Sequence, residues 1–405
     1  MVFWCSKSLG CWNWKKTIKV KMVKLKTFEI SLSAHDGLYM TGETLKGHVT
    51  IDLKYPMKMQ AIRVFAKGKA FVHWTEQKLR GPGKPRYRDH RHHSATEEYF
   101  DFHFTILKNN ENSSKKFMLP AGKYSYPFQF QLPCNLPSSY EGDFGYVRYY
   151  MKAAIIKPWR LDHVTKTAFS VLSVLDLNAI PDANKAVQKS TTKKLCCWCC
   201  TSGPITAFLS IDRHGFVPGE PITINAEIEN LSRRKIRSSS VTLKMKTTYR
   251  TPHQTRTTSS TVAKLRRSSI SKGQTDTWNG DQLCVPSLPP SFLLGCNIID
   301  INYVLEFRVD PFGPALELYI PVNIIIGTVP LDSSVSHYLR FYQSQMSNST
   351  GYGATNSIQM NRLSLQTVSV DSILGSVNIK DDDDPEHTRG QLNFTPVYTY
   401  YIWGS

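Results

Sequence analysis

The strongest constraint in the sequence is a long internal repeat. Residues 28–53 read FEISLSAHDGLYMTGETLKGHVTIDL, and residues 205–230 read ITAFLSIDRHGFVPGEPITINAEIEN. Without a gap, the step Gly42-Glu43 aligns with Gly219-Glu220 at an offset of 177 residues. Two copies this far apart predict a duplicated domain, because solenoids repeat at 20 to 50 residues.

Both halves contain runs in which every second residue is apolar, for example Ile62–Trp74, Phe100–Ile106, Ile222–Ile228 and Ile299–Val309. Such alternation predicts antiparallel strands with one face packed and one face wet. The 22 Pro and 23 Gly residues separate these runs as turn formers. We therefore predict an all-β chain of two β-sandwiches. In each repeat we expect an aromatic residue to end the first strand, a positive-φ Gly to make the turn and the Glu to begin the next strand.

The charge is unevenly distributed. The chain has 50 Lys and Arg against 32 Asp and Glu, a net charge of +18. Residues 1–28 carry seven Lys, residues 231–272 carry twelve Lys or Arg, and neither segment contains an acidic residue, so together they account for the whole excess. A basic surface predicts an anionic partner, such as phospholipid headgroups, phosphorylated segments or nucleic acid. Nucleic acid is not the expected partner, because no module interleaves aromatic and basic residues.

Cysteine usage and hydropathy favour an intracellular protein. Four of the nine Cys residues lie in one cluster, CCWCC, which is unlike a secreted disulfide framework. The N-terminus has no apolar signal-peptide region, and the apolar runs are too short to span a membrane. No Walker A, GxSxG, HExxH or GxGxxG motif occurs, so we expect neither catalytic residues nor a cofactor.

Several segments together resemble the arrestin fold, specifically the α-arrestins, or arrestin domain-containing proteins. They are FEISLSAHDGLYMTGETLKGHV, EGDFGYVRYYMKAAI, KKLCCWCCTSGPI, GFVPGEPITINAEIEN, GCNIIDINYVLEFRVD and IPVNIIIGTVPL. The resemblance covers about residues 28 to 331. It implies a cytoplasmic adaptor, recruited to the plasma membrane and endosomes, that binds receptors or transporters as cargo. It also implies recruitment of a HECT-type ubiquitin ligase through tail PPxY motifs that WW domains read, and so endocytosis and protein transport.

The composition divides the chain into five segments. Residues 1–27 form a basic and aromatic extension, 28–178 the first sandwich, 179–202 a polar linker with the Cys-rich strand, and 203–331 the second sandwich. Residues 332–405 are rich in Ser, Asn and Gln and predict a disordered tail with a short ordered motif at its end.

The tail departs from the family pattern, because it contains no PPxY. Its nearest match is Thr395-Pro396-Val397-Tyr398, in which Pro396 and Tyr398 are the candidate WW-binding residues. This motif lacks one proline, so it is either a working WW ligand or a spent tail end. The alternatives to a ligase adaptor are a sorting scaffold like retromer that needs no ligase, or a basic protein that binds membranes or nucleic acid. Tyr338 and Phe341 match a tyrosine-based sorting signal, although such short matches often arise by chance.

Further candidate sites concern charge and acylation. The anion-binding candidates are Arg233, Arg234, Lys235, Arg237, Arg266 and Arg267. Ser269 follows two Arg residues and is a candidate phosphorylation site, where a phosphate would reduce the local positive charge. The acylation candidates are Cys5, Cys11, Cys196, Cys197, Cys199 and Cys200. On a single strand the cluster would be a structural Cys strand. Zinc is not expected, because four thiolates this close cannot surround one ion and no CxxC pair exists elsewhere in the chain.

Overall fold

The structure, a computed structural model, describes residues 25–80, 87–108, 118–158, 161–197, 200–313, 317–338, 340, 364–369, 375–380 and 388–403. Almost all of its regular structure is strand, as the alternation predicts. The described strands are numbered β1 to β25 in chain order. Within the described ranges, no helix is long and apolar enough to cross a membrane.

The first sandwich packs a three-stranded sheet, in the order β1-β3-β8, against a larger sheet in the order β2-β11-β10-β5-β6. Its strands are β1 (Leu25–Leu32), β2 (Leu38–Met40), β3 (Thr44–Leu53), β4 (Met57–Lys58), β5 (Ala61–Arg80), β6 (Tyr87–Lys108), β7 (Met118–Leu119), β8 (Gly122–Gln131), β9 (Tyr140–Gly142), β10 (Gly145–Ile156) and β11 (His163–Leu172). The even-numbered apolar residues of β5 face the core, as their alternation predicts.

The second sandwich repeats this arrangement with one additional edge strand, β12, in sheets of the orders β12-β13-β15-β18 and β14-β20-β19-β16-β17. Its strands are β12 (Val187–Cys197), β13 (Cys200–Ile211), β14 (Gly215–Phe216), β15 (Pro221–Asn230), β16 (Ile236–Arg250), β17 (Thr255–Arg267), β18 (Thr275–Cys284), β19 (Ile299–Pro311) and β20 (Leu318–Ile326). In both copies a short strand occurs in the sequence between two longer strands that pair with each other. It pairs in parallel with the last strand of its sandwich, β2 with β11 and β14 with β20.

The two aligned glycines occupy equivalent turns, which confirms this part of the duplication. Gly42 has a φ of +79° and Gly219 a φ of +92°, a region that L side chains rarely adopt. The neighbouring Glu differs from the prediction, because it precedes the next strand instead of beginning it. The Glu43 carboxylate accepts the Met40 N–H at 2.8 Å, and Glu220 accepts the Val217 N–H at 3.1 Å, so each Glu closes its own turn.

A second pair of similar segments, Leu136-Pro137-Ser138-Ser139-Tyr140 and Leu288-Pro289-Pro290-Ser291-Phe292, also has a structural counterpart. Tyr149 donates its hydroxyl to the Pro137 carbonyl at 2.7 Å, and Tyr303 does the same to Pro289 at 2.7 Å. Because these tyrosines are buried, an unpaired hydroxyl would be costly, so the same bond recurs in both copies.

A polar and aromatic seam joins the sandwiches. The buried Tyr140 hydroxyl lies 2.9 Å from Thr247 Oγ1 and 3.2 Å from the Tyr249 hydroxyl. The rings of Phe144 and Tyr249 meet edge to face at 5.7 Å. Nearby, the carboxylate of Glu97 accepts a backbone N–H from the second sandwich.

Two segment predictions differ from the structure. Much of the polar segment 179–202, predicted as a linker, forms β12, an edge strand that pairs with β13 along most of its length. Polar and charged side chains suit an edge strand, because they discourage another chain from pairing with its open edge. At the other end, the ordered part of the tail is larger than predicted. It comprises β21 (Ser364–Ser369), β22 (Val377–Asn378), β23 (Arg389–Gln391), β24 (Asn393–Phe394) and β25 (Val397–Ile402).

Candidate functional site: a tail clasp and a basic tip

The tail covers the outer face of β11 in the first sandwich. β23 pairs in parallel with β11, and Lys166 of β11 is buried beneath the tail. The Lys166 ammonium donates to the Ile379 carbonyl at 2.8 Å and lies 4.0 Å from the Tyr150 ring centroid. This cover explains why β11 is buried on both faces, whereas its alternating sequence predicts one exposed face.

The WW-like motif lies at the centre of this contact. Pro396 is buried, and Tyr398 is 1% exposed. The Tyr398 ring packs with Leu172, Leu38 and Met40, and its hydroxyl donates to the Ser139 carbonyl at 2.7 Å. Burial raises the pKa of the Tyr398 hydroxyl well above its usual value, so this donor keeps its proton.

Strand β25, which contains Tyr398, continues onto the second sandwich. The Tyr401 N–H donates to the Pro218 carbonyl at 3.0 Å, and its hydroxyl donates to the Thr328 carbonyl at 2.7 Å. All six residues of β25 pair with β21, whose Val368 carbonyl accepts a bond from Ser287 at 3.3 Å. We call β21 and β25 together the tail clasp, because they contact both sandwiches.

The sorting-signal candidate also involves this region. Residues 332–338 form one helical segment after the second sandwich. The ring of Tyr338 contacts that of Trp403 edge to face at 5.6 Å, so it packs against the end of the tail. Phe341 lies outside the described residues.

The basic candidates gather in a loop at one end of the second sandwich. The buried side chain of Asn230 organises this loop: its amide donates to the Arg234 and Ser271 carbonyls at 2.9 and 3.0 Å, and its carbonyl oxygen accepts the Ser232 hydroxyl at 2.6 Å. Because Asn230 bonds both sides of the loop, it holds the intervening basic residues at the surface.

Exposed apolar side chains lie among these basic residues. Leu231 is 53% exposed and Phe312 is 63% exposed. The Phe312 N–H donates to the Lys235 carbonyl at 2.9 Å, and the Arg237 guanidinium lies 5.7 Å from the Phe312 ring centroid. Arg237 also pairs with Asp310 at 3.4 Å, so its charge is compensated in part. We call Leu231, Arg233, Arg234, Lys235 and Phe312 the basic tip.

The remaining candidates of the basic region, Arg266, Arg267 and Ser269, differ in their partners and exposure. Arg267 pairs with Asp281 at 2.5 Å and Asp276 at 3.3 Å, so its charge is compensated within the sandwich and it is not part of the basic tip. Arg266 donates to Ser238 at 3.2 Å. Ser269 is exposed two residues beyond β17, where a kinase could reach it.

The sequence suggested that the Cys cluster lies on a single strand, but the structure divides it between two strands. β12 ends at Cys197 and β13 begins at Cys200, and these two residues pair to close a hairpin. The hairpin lies beside the basic tip, because the Arg233 N–H donates to Ser202 Oγ at 3.0 Å. Cys5, Cys11 and Cys199 lie outside the described residues. In the part of the chain that the structure describes, no group of three or more His, Cys, Asp or Glu residues could hold a metal ion.

Two tandem sandwiches with the same strand order and a shared polar seam define an arrestin-type protein. Comparison with family models agrees: residues 28–178 match the N-terminal domain of arrestin (or S-antigen), and residues 201–331 match its C-terminal domain. The chain belongs to the arrestin family and, within it, to the α-arrestins. This membership supports an adaptor role.

Individual relatives carry the same description. Arrestin domain-containing protein 17 of Caenorhabditis elegans is 31% identical over 347 residues, which cover 82% of this chain and 76% of the relative. Human arrestin domain-containing protein 4 is 34% identical over 298 residues, 73% of this chain and 69% of the relative. Human arrestin domain-containing protein 1 is 31% identical over 317 residues, 76% of this chain and 67% of the relative.

Several residues that build these sites were not among the sequence candidates. Asn230 ends the second copy of the repeat, and its position at the end of a strand was its only signal. Ser139 and Thr328 supply backbone carbonyls to tail tyrosines, and a carbonyl leaves no signature in a sequence. Phe312 lies far along the chain from the basic loop that it joins, so only the pairing of β16 with β19 brings the two together.

Proposed function

We propose that this protein is a trafficking adaptor of the α-arrestin type, recruited from the cytoplasm to the plasma membrane and endosomes. In this role it links membrane receptors or transporters to a HECT-type ubiquitin ligase and promotes their endocytosis and transport. Family membership supports the adaptor role. The basic tip is the observation that carries the membrane part of the proposal.

The basic tip suits an anionic lipid surface. Each Lys or Arg that comes near such a surface contributes about 1 kcal/mol, and an apolar side chain that enters the interface adds to this. Phe312 and Leu231 are large, exposed and surrounded by cations, which is the composition of an interfacial contact. Acylation of the adjacent Cys hairpin would supply a second anchor, because stable anchoring takes two signals.

Vesicle binding tests this part directly. We expect the full chain to sediment with vesicles that contain phosphatidylserine and to lose most of this binding in the double variant Arg233→Ala/Lys235→Ala. The matched control is Lys46→Ala/Lys123→Ala, which removes the same charge from exposed positions of β3 and β8 on the first sandwich. Equal loss in both variants would mean that only net charge matters, and the tip would not be the contact.

The ligase part rests on the motif at Pro396 and Tyr398. A WW domain from a HECT-type ligase should bind a peptide of residues 389–403, and Tyr398→Ala in the peptide should abolish binding. The second candidate function, a sorting scaffold without ligase recruitment, is favoured by the burial of Tyr398. Absence of binding to the peptide would leave the scaffold as the better description.

A further inference from the structure

The tail clasp holds the candidate ligase motif between two fixed points. On one side, the Val397 N–H donates to Ser170 Oγ at 3.0 Å and the Tyr398 hydroxyl reaches the Ser139 carbonyl, both in the first sandwich. On the other side, Tyr401 bonds to the second sandwich. The motif and its attachment to the second sandwich are therefore only three residues apart on one strand.

A WW domain requires two side chains that are buried in the closed tail. WW grooves hold the proline and tyrosine rings of their ligands on separate aromatic and apolar platforms, with the peptide in an extended conformation. Here Pro396 is buried, and Tyr398 fills a socket formed by Leu172, Leu38 and Met40. The Tyr398 ring cannot contact both surfaces at once, and Pro396 cannot reach a WW groove while it is buried.

The end of the clasp packs into a further apolar cluster. Tyr401 and Trp403 pack against Leu177, Ala183, Val217 and Leu331. Leu177 and Ala183 belong to the connection between the sandwiches, whereas Val217 belongs to the repeated turn of the second sandwich. Release of the motif therefore also removes a contact that ties this connection to the second sandwich.

We propose that the tail clasp regulates ligase recruitment: WW binding to the Pro396–Tyr398 motif and closure of the clasp across both sandwiches exclude each other. This inference rests on the proposed ligase function of the same motif. It makes recruitment depend on the relative arrangement of the sandwiches, because any change that separates the Tyr398 socket from the Tyr401 contacts opens the clasp. A ligand need only favour the open state to increase recruitment.

The test compares a peptide with the full chain. The probe is a WW domain of a HECT-type ubiquitin ligase, titrated against the peptide 389–403 and against the intact protein. If the clasp is closed in nine of ten molecules, the apparent affinity of the chain is about tenfold below that of the peptide. We expect at least this difference.

A variant outside the motif then opens the clasp. Tyr401→Ala removes the hydroxyl bond to the Thr328 carbonyl and the ring packing on the second sandwich, so the affinity of the chain should rise to that of the peptide carrying the same change. The matched control is Ile402→Ala on the same strand, whose side chain is 38% exposed and should leave the affinity of the chain low. Hydrogen exchange at the amides of β25 reports opening independently of the WW domain.

Each outcome decides between the alternatives. A tenfold or larger difference that Tyr401→Ala removes and Ile402→Ala preserves supports the proposal. Equal binding by chain and peptide overturns the regulation but keeps ligase recruitment. The regulation is also overturned if Tyr401→Ala speeds exchange in β25 without raising affinity. If neither peptide nor chain binds, ligase recruitment through this motif fails, and the regulation fails with it.

Discussion

The duplicated turns provide a controlled experiment on the tail clasp. Gly42→Ala and Gly219→Ala place the same methyl group at the same kind of turn, and in both cases a positive φ costs about 1–2 kcal/mol. The surroundings differ. An added Cβ at Gly42 would lie 3.1 Å from the Sγ atom of Cys134, an exposed side chain that can rotate. An added Cβ at Gly219 would overlap the Tyr401 carbonyl oxygen of β25.

The overlap at Gly219 can be relieved only if part of the backbone moves. We expect the tail clasp to move rather than the turn at Gly219, because fewer hydrogen bonds hold the clasp to the second sandwich. Its release would forfeit the two hydrogen bonds of Tyr401, each worth about 1 kcal/mol. We therefore expect Gly42→Ala to lower the free energy of unfolding by about 1–2 kcal/mol and Gly219→Ala by about 3–4 kcal/mol.

Two measurements check this expectation. In denaturant unfolding of the full chain, the two variants should differ by about 2 kcal/mol, and in a chain that ends at Leu331 this difference should vanish. Hydrogen exchange at the amides of β25 should accelerate in Gly219→Ala and remain slow in Gly42→Ala. Equal stabilities of the two variants in the full chain, together with slow exchange in both, would refute the argument.

Three further predictions follow from individual contacts. Glu220 is buried, pairs with Arg213 and accepts the Val217 N–H, whereas Glu43 is exposed, so Glu220→Ala should cost about 3 kcal/mol in urea unfolding and Glu43→Ala less than about 1. Burial raises the pKa of Glu220, so the folded state binds its proton more tightly than the unfolded chain. As the pH falls through the folded pKa, the folded state takes up this proton first and gains stability, so acid titrations of unfolding should show a gain in the wild type that is missing in Glu220→Ala. Tyr140→Phe removes the hydroxyl shared across the seam and should lower the melting temperature at a cost of about 1–2 kcal/mol. Ser269→Glu should weaken binding to phosphatidylserine vesicles, measured by sedimentation at low salt, whereas Ser269→Ala should not.

The sequence by itself determined the sandwich architecture. A period of two residues commits alternate side chains to opposite faces, so the core faces of β5 and β19 follow from the order of the residues alone. The gapless repeat likewise determined the duplication and the turns at Gly42 and Gly219. These properties are local, or follow from comparing one part of the chain with another.

Only the tertiary structure decided what the tail does. The motif at Pro396 and Tyr398 has the composition of an exposed ligand. The Tyr398 ring nevertheless fills a socket formed by β2 and β11, more than 200 residues earlier in the chain. The socket is built from backbone carbonyls and common apolar residues, which have no distinctive sequence pattern. The basic tip has the same origin, since its loop, its Phe312 and the neighbouring Cys hairpin come from separate strands. Alternation reveals which face of a strand is apolar, but the partner that covers the other face is decided only when distant segments meet.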